Sequence, residues 1–185
     1  CYSSDRERLV YLFLKEKSDI FTRQIRLLHV APEKNMGEML HKSPNIDYLS
    51  ADISSRLAME KMDITNIKYS ESYFDAIICN HVLEHIIDDN KAICELFRVL
   101  KPGGWAVLQA PISLSLDKTY EDPTIVSPEK RDEIFGQFDH VRIYAKDYKI
   151  RLEKGGFSVE VFNCLDLLGE EKCGRYGLIK EESIY

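Results

Sequence analysis

"YFDAIICNHVLEHI", residues 73–86, decides how this chain is read. Its first part, residues 73–80, is almost continuously apolar, the pattern of a parallel strand buried on both faces. Its second part, His81 to His85, spells H-x-x-E-H, a zinc-metallopeptidase signature. The two parts conflict. Such a zinc site needs its residues on a regular helix, with another ligand from elsewhere. Here the letters leave a buried strand directly, and a good helix begins only near Asp89. The stretch therefore reads as a strand and a turn, with Asn80 and His81 at the strand's carboxyl end. Zinc hydrolysis is set aside and no metal ligand is expected. Glu84 and His85 belong to the turn behind, where His85 satisfies local hydrogen bonds.

Outward from this strand, helical and extended patterns alternate. Residues 4–17 form an amphipathic helix opened by a capping box, Ser4 with Glu7. Short apolar runs at 26–31 and 46–53 read as strands, with a helix at 33–42 between them. Residues 61–66 read as a third strand. After residues 73–80, Asp88 or Asp89 caps a helix that Pro102, Gly103 and Gly104 end, and residues 105–112 are the next strand. Ser127 and Pro128 open a short helix ending at Gly136. Residues 145–154 are helical up to Gly155, residues 157–163 alternate like a strand, and a last partial strand begins near Gly177. Such alternation implies an α/β sandwich around a mainly parallel sheet. The division expected is an N-terminal helical segment, 1–24, and one domain, 25–185.

Bulk properties exclude several functions. The 185 residues are 30% charged and 44% apolar, with no run long enough to span a membrane and no signal-peptide pattern. A net charge of −6 without a basic stripe argues against nucleic acid as a partner. Five cysteines, an odd number with no C-x-x-C, indicate a reducing, cytoplasmic setting. Cys1 reads as a terminal thiol, or as the last ligand of a metal knuckle lying upstream.

In such sheets ligands bind outside the carboxyl ends of the strands. That rule gathers Ala31, Pro32 and Glu33 after the first strand, Asp52 and Ile53 at the second, Asp63 and Ile64 after the third, and Asn80 and His81 after the fourth. Asp52 lies 21 residues beyond Ala31, the spacing at which dinucleotide-binding folds place a ribose-binding acid.

Together with "ELFRVLKPGGWAVLQAP", "LEKGGFSVEV" and "MDIT", the stretch at 73–86 resembles the class I S-adenosylmethionine-dependent methyltransferases over about residues 25–165. "HVAPE", "TYEDP" and "GQFDHVRIY" resemble a bacterial branch of them whose members can carry a cysteine-rich segment upstream. The resemblance implies a Rossmann-like sandwich, mostly parallel, with helices on both faces and an antiparallel last strand. It implies S-adenosylmethionine as cofactor: Asp52 holding ribose, Asp63 and Ile64 the adenine, and the turn at 31–33 the methionine end. One departure stands out. The family's glycines after the first strand are missing, and no glycine occurs until Gly37. Pro32 also removes a backbone donor. Glu33 is a candidate for the cofactor's ammonium group, or is an ordinary acid at a helix start.

The resemblance also puts residues 138–148 over the active site. His140 is then a candidate base and Arg142 a candidate clamp for an anionic substrate, with Tyr120 lining the pocket. His81 faces the reaction from the fourth strand. The chain lacks the Asn/Asp-Pro-Pro-Tyr/Phe motif of amino-methylating relatives and any Pro-Cys nucleophile, which favours a small-molecule acceptor. The alternatives are a non-catalytic binding module of the same fold and, more remotely, a nicotinamide oxidoreductase. Residues 113–136 read as a lid over the acceptor pocket. Oligomeric state is not legible.

Overall fold

The structure, a computed structural model, describes residues 3–54, 56–180 and 182–185, so Cys1 and its suggested knuckle lie outside the described residues. In chain order the elements are α1 (Asp5–Lys17), β1 (Ile25–Val30), α2 (Lys34–His41), β2 (Ile46–Asp52), β3 (Glu60–Lys61) and β4 (Phe74–Cys79). A single 3-10 turn (Leu83–His85) precedes α3 (Asp89–Val99), β5 (Leu100–Val107), β6 (Tyr120–Glu121) and α4 (Pro128–Phe135). The chain closes with β7 (Arg142–Ile143), α5 (Tyr148–Lys154), β8 (Phe162–Asn163), α6 (Cys164–Tyr176) and β9 (Ser183–Ile184).

Helix starts follow the capping residues seen in the sequence. The Glu7 amide donates to Ser4 Oγ at 3.1 Å and the Ser4 amide to Glu7 Oε2 at 2.8 Å, closing the capping box. Asp88 accepts from the Lys91 amide at 3.0 Å to start α3.

Five strands form one parallel sheet in the order β3-β2-β1-β4-β5. Strand periodicity splits its side chains between two cores. Leu28, Ile77 and Cys79 join Ile93, Leu96 and Tyr148 on one face, while Leu27, Ala76 and Ile78 join Leu9, Leu14 and Leu40 on the other. Full burial of each Leu or Ile contributes about 1.5–3 kcal/mol. Helix α1 is part of the second core, so residues 5–17 pack against the sheet and do not stand apart from it.

Three features depart from the sequence reading. Pro102, Gly103 and Gly104 do not stop a helix: α3 ends at Val99, and β5 runs from Leu100 through these residues with a register shift opposite Phe74 and Ala76. Gly103 has φ +76°, and a Cβ on Gly104 would lie 2.7 Å from the Asp75 carbonyl oxygen, so the irregular pairing needs both glycines. The antiparallel last strand is also corrected. Among the described residues β5 is the edge of the five-stranded sheet, and Phe162–Asn163 forms a separate antiparallel pair with Ser183–Ile184 beside it, the Leu108 amide donating to the Tyr185 carbonyl at 2.8 Å. The segment before it docks through rings: Phe157 meets Phe97 of α3 edge-on at 5.3 Å, and Gly156 (φ +110°) sits against the same Phe97 ring. Between that segment and β5 lies a cavity of about 960 Å³. Finally, residues 164–176, given no element from sequence, form α6, kinked at Gly169 (φ 77°) and capped by Asn163. Arg8 of α1 ties its end, donating to the Tyr176 carbonyl at 2.8 Å.

Gly104→Ala should destabilise the domain by about 1–3 kcal/mol, the range for overpacking, as read by urea unfolding. An unchanged midpoint would show that the β4–β5 junction yields freely.

Candidate active site

The strand order reverses between β1 and β4, and there the sequence-predicted residues converge. Two non-glycine residues take left-handed backbone at this point, Ala31 (φ 46°) and His81 (φ 52°). Each is held by the neighbouring strand: the Ala31 amide donates to the Ala51 carbonyl and the His81 amide to the Gln109 carbonyl, both at 2.8 Å. Strain of this kind costs about 1–3 kcal/mol and gathers at functional sites.

Glu33 closes the gap between the strands. Its Oε2 lies 2.9 Å from His29 Nε2, and its Oε1 accepts from Asn80 Nδ2 at 3.3 Å. Behind it, His29 is fully buried, with Nδ1 3.1 Å from the Tyr48 hydroxyl. Burial pushes the Glu33 carboxyl upward, but His29 and the amides around it outweigh that and hold it below the usual carboxylate range. Burial drives the Tyr48 hydroxyl up to about 12, so it stays neutral. Gly37 makes room for that hydroxyl, since a Cβ there would lie 3.0 Å from it.

His81 has a second set of neighbours. Arg6 Nη1 of α1 stands 3.0 Å from its Nδ1, Glu84 Oε1 lies 3.3 Å from the same atom, and Glu182 Oε1 lies 3.9 Å from Nε2. A guanidinium only donates, so Nδ1 accepts and the neutral ring carries its proton on Nε2. Gln109 donates to Glu182 at 2.9 Å, and burial raises the Glu182 carboxyl despite the nearby Arg6 guanidinium.

On the far side of β1, the Asp52 carboxylate ends β2, its Oδ1 accepting from the Ser54 amide at 2.7 Å. The Met62 amide donates to the Asp52 carbonyl at 3.0 Å, which brings Asp63 and Ile64 to the same edge. Asp63 is exposed and Ile64 buried, while Ile53 is 54% exposed.

Orphaned polar atoms mark the same region. Among the described residues, six buried side-chain polar atoms have no hydrogen-bond partner: Asn80 Oδ1, His81 Nε2, Glu84 Oε2 and Gln109 Oε1 lie here, and Glu60 Oε2 and Arg151 Nε elsewhere. Buried polar atoms left unsatisfied point to a ligand or ordered water. The first four sit at or just beyond the carboxyl ends of β4 and β5, so the crevice offers a polar ligand both donors and acceptors.

The remaining candidates lie elsewhere. Arg142 is 3% exposed and its donors are taken: Nη1 by the Leu83 carbonyl at 2.8 Å and by the Ile86 carbonyl, Nη2 by Ile87 O at 2.9 Å, and Nε by Glu121 at 2.9 Å. It fixes the turn after β4 and is not presented to a substrate. Tyr120, on β6, is 45% exposed, its ring 6.0 Å from that of Phe135. His140 packs edge-on against His85 at 4.7 Å between ring centres, and burial lowers its pKa despite the nearby charge of Glu84. The supposed lid is tied down: the Ser113 amide donates to Tyr144 O at 2.8 Å, Thr119 to Asp147 at 2.8 Å, and Glu121 pairs with both Arg142 and Arg151. His29, Tyr48, Arg6, Gln109 and Glu182 were missed from sequence. Only His29 carried a signal, a lone polar residue in an apolar strand four positions before an acid.

Five parallel strands in this order, with helices on both faces and a crevice at the β1/β4 switch, define a Rossmann-like methyltransferase fold. Residues 19–108 match the family model described as a methyltransferase domain. Nearly half of the chain is thus similar to methyltransferase domains, and the whole carries the fold of solved S-adenosylmethionine-dependent methyltransferases. It is 27% identical over 139 residues to a tRNA U34 carboxymethyltransferase of Campylobacter curvus, a match taking in 70% of this chain and 46% of that protein. It is 35% identical over 96 residues to a tRNA (carboxymethyluridine(34)-5-O)-methyltransferase of Arabidopsis thaliana, covering 42% of this chain and 24% of the relative. The chain thus spans about half the length of the first curated relative and less of the second. The crystal structure of an S-adenosylmethionine-dependent methyltransferase from Mesorhizobium loti superimposes with a TM-score of 0.63 at 13% identity, over 98% of this chain and 96% of that one, a likeness of fold.

The Arg142 tether gives a pH dependence. Burial pushes the Glu121 carboxyl up, but the hydrogen bond from Arg142 and the charges of Arg151 and Arg142 bring it below its ordinary value. Its stabilisation is therefore complete above the ordinary carboxylate pKa and is lost as pH falls through the depressed one. Glu121→Gln should lower the melting temperature at neutral pH, and the gap to the parent should close on acidification. Parallel curves down to the acid limit would rule this out.

Proposed function

We propose that the chain transfers a methyl group from S-adenosylmethionine to a small-molecule acceptor. The observation that carries this is the crevice between Ala31 and His81, with an ionised Glu33 held at its floor by His29 and Asn80. A carboxylate kept charged there suits the cofactor's ammonium group. Asp52 would accept from the ribose hydroxyls, with Asp63 and Ile64 beside the adenine. Ala31 leaves room for close approach of the methionine chain, and Pro32 stiffens the turn. Bound S-adenosylmethionine supplies an electrophilic methyl. What the chain adds is alignment of the acceptor and exclusion of water. His81, with its proton on Nε2, would donate to the acceptor, and His140, kept neutral by burial, is the candidate base.

A second reading, an acceptor carried on tRNA, is favoured by the names of the two relatives described above. The net charge of −6 weighs against it, because binding a phosphate backbone calls for clustered basic residues. A non-catalytic module of the same fold is the further alternative. No helix among the described residues is long and apolar enough to cross a membrane. Cys79 and Cys173 are buried thiols, which fits a reducing, cytoplasmic setting.

Calorimetry with S-adenosylhomocysteine tests the assignment. The parent should bind, and Asp52→Ala should weaken binding by about 1.5–3 kcal/mol, the range for a hydrogen bond to a charged group. Unchanged affinity in the folded variant would remove Asp52 from the site. Absence of binding in the parent would favour the non-catalytic module, and methylation of bulk tRNA in preference to small acceptors would favour the second reading.

A further inference from the structure

We propose that Glu84, His85 and His140 form a binding site for one divalent first-row metal ion, of the kind taken by imidazole and carboxylate ligands: Mn²⁺, Fe²⁺, Co²⁺ or Zn²⁺. One carboxylate oxygen of Glu84 and one ring nitrogen from each histidine lie within 4.8 Å of one another. Around a metal with ligand distances of about 2.1 Å such atoms sit roughly 3–3.5 Å apart, so the side chains need to close by at most about 1.5 Å. The H-x-x-E-H pattern failed as a zinc site for lack of a helix and a further ligand. The structure supplies that ligand as His140, and the backbone joins the two parts, the Val141 amide donating to the Glu84 carbonyl at 3.0 Å. The expectation of no metal ligands in this turn is revised accordingly.

Four observations favour a metal over a bland polar cluster. The Glu84 side chain is 2% exposed; one oxygen faces His81 at 3.3 Å, and the other, Oε2, is buried without a partner. A buried carboxylate oxygen left bare is costly, and a cation is its strongest remedy. His85 Nδ1 stands 3.3 Å from Asp139 Oδ2, so the ring donates there and turns the lone pair of Nε2 free for a metal. Carboxylates commonly orient metal-ligating histidines in this way. His140 packs edge-on against His85 at 4.7 Å between ring centres, which holds its ring beside the other two ligands. Finally, Arg142 pins the turn from behind through the carbonyls of Leu83, Ile86 and Ile87, so the ligands sit on a fixed frame.

Three protein ligands leave open positions on a four- to six-coordinate ion. With the ion bound, the His140 ring is a ligand and no longer the candidate base. His81 is not one of the three, because its Nδ1 accepts from Arg6. Glu84 contacts His81, so the open positions border the crevice. There the ion would hold an oxygen of the acceptor, such as an enolate, hydroxyl or carboxylate, near His81. This role rests on the methyl-transfer reading, whereas metal binding stands without it.

The test uses the full chain stripped with a chelator and titrated with Zn²⁺ and Mn²⁺ by calorimetry, with Co²⁺ as a visible-absorption probe. One equivalent should bind with saturable Co²⁺ d–d bands. Glu84→Gln and His140→Gln should each weaken binding by about 10–100-fold and remove those bands, while Cys1→Ser should keep both. Circular dichroism checks folding. If Glu84→Gln unfolds, the half-buried loop residue His140 decides, because its substitution leaves the core intact. No stoichiometric binding, or binding unchanged in His140→Gln, overturns the site. S-adenosylhomocysteine calorimetry on the stripped protein separates the two claims. Cofactor binding without metal binding sinks only this inference, and metal binding without cofactor binding sinks only the methyl-transfer reading.

Discussion

A carboxylate wedged between two parallel strands is the constraint on which the rest depends. Glu33 bridges β1 and β4 through His29 and Asn80, at the place where the strand order reverses. The sheet forces the meeting: β1 and β4 pair side by side, so the residues just past their carboxyl ends must share one gap. Keeping Glu33 charged there requires the fully buried His29, the Tyr48 hydroxyl behind it, and Gly37 to leave that hydroxyl space. Three residues scattered over the first two strands and their connection thus serve one charge. A glycine-rich turn presents backbone amides to a ligand, whereas this chain presents a fixed anion, so the two suit different parts of a cofactor.

Much of the fold was legible because its signals are local. An apolar run without polar interruption marked β4, a capping box marked α1, and Ser127 with Gly136 marked the two ends of α4. What failed depended on pairing partners, which no local pattern states. The residues 157–163 alternate as a strand should, yet Phe157 and Gly156 find the ring of Phe97 and leave β5 as the edge. Pro102, Gly103 and Gly104 look like a stop, but here they let a strand bend close to the Asp75 carbonyl. Helix α6 carries a glycine at its kink, which breaks the periodicity that would have announced it.

The site divides along the same line. Residues at strand ends could be placed by rule, and Asp52, Asp63, Asn80 and His81 do stand at those ends. Those arriving from distant elements could not: Arg6 from α1, Gln109 beyond β5 and Glu182 near the C-terminal strand reach His81 only through the folded chain. Arg142 shows the opposite error. A charged residue before a helix reads as a ligand clamp, but at 3% exposure its charge is spent on carbonyls of the turn after β4. That tether holds Glu84 and His85 against His140, so a residue expected to touch substrate instead shapes the ground beside it.

The central claim is that the cofactor lies across the β1/β4 switch with its ammonium group on Glu33. A crystal structure with S-adenosylhomocysteine tests it directly. The account predicts the ligand between Ala31 and His81, its amino nitrogen within hydrogen-bond distance of the Glu33 carboxylate and its ribose on Asp52. A ligand seated instead in the cavity of about 960 Å³ along β5, lined by Gly103, Trp105 and Phe157, would contradict it.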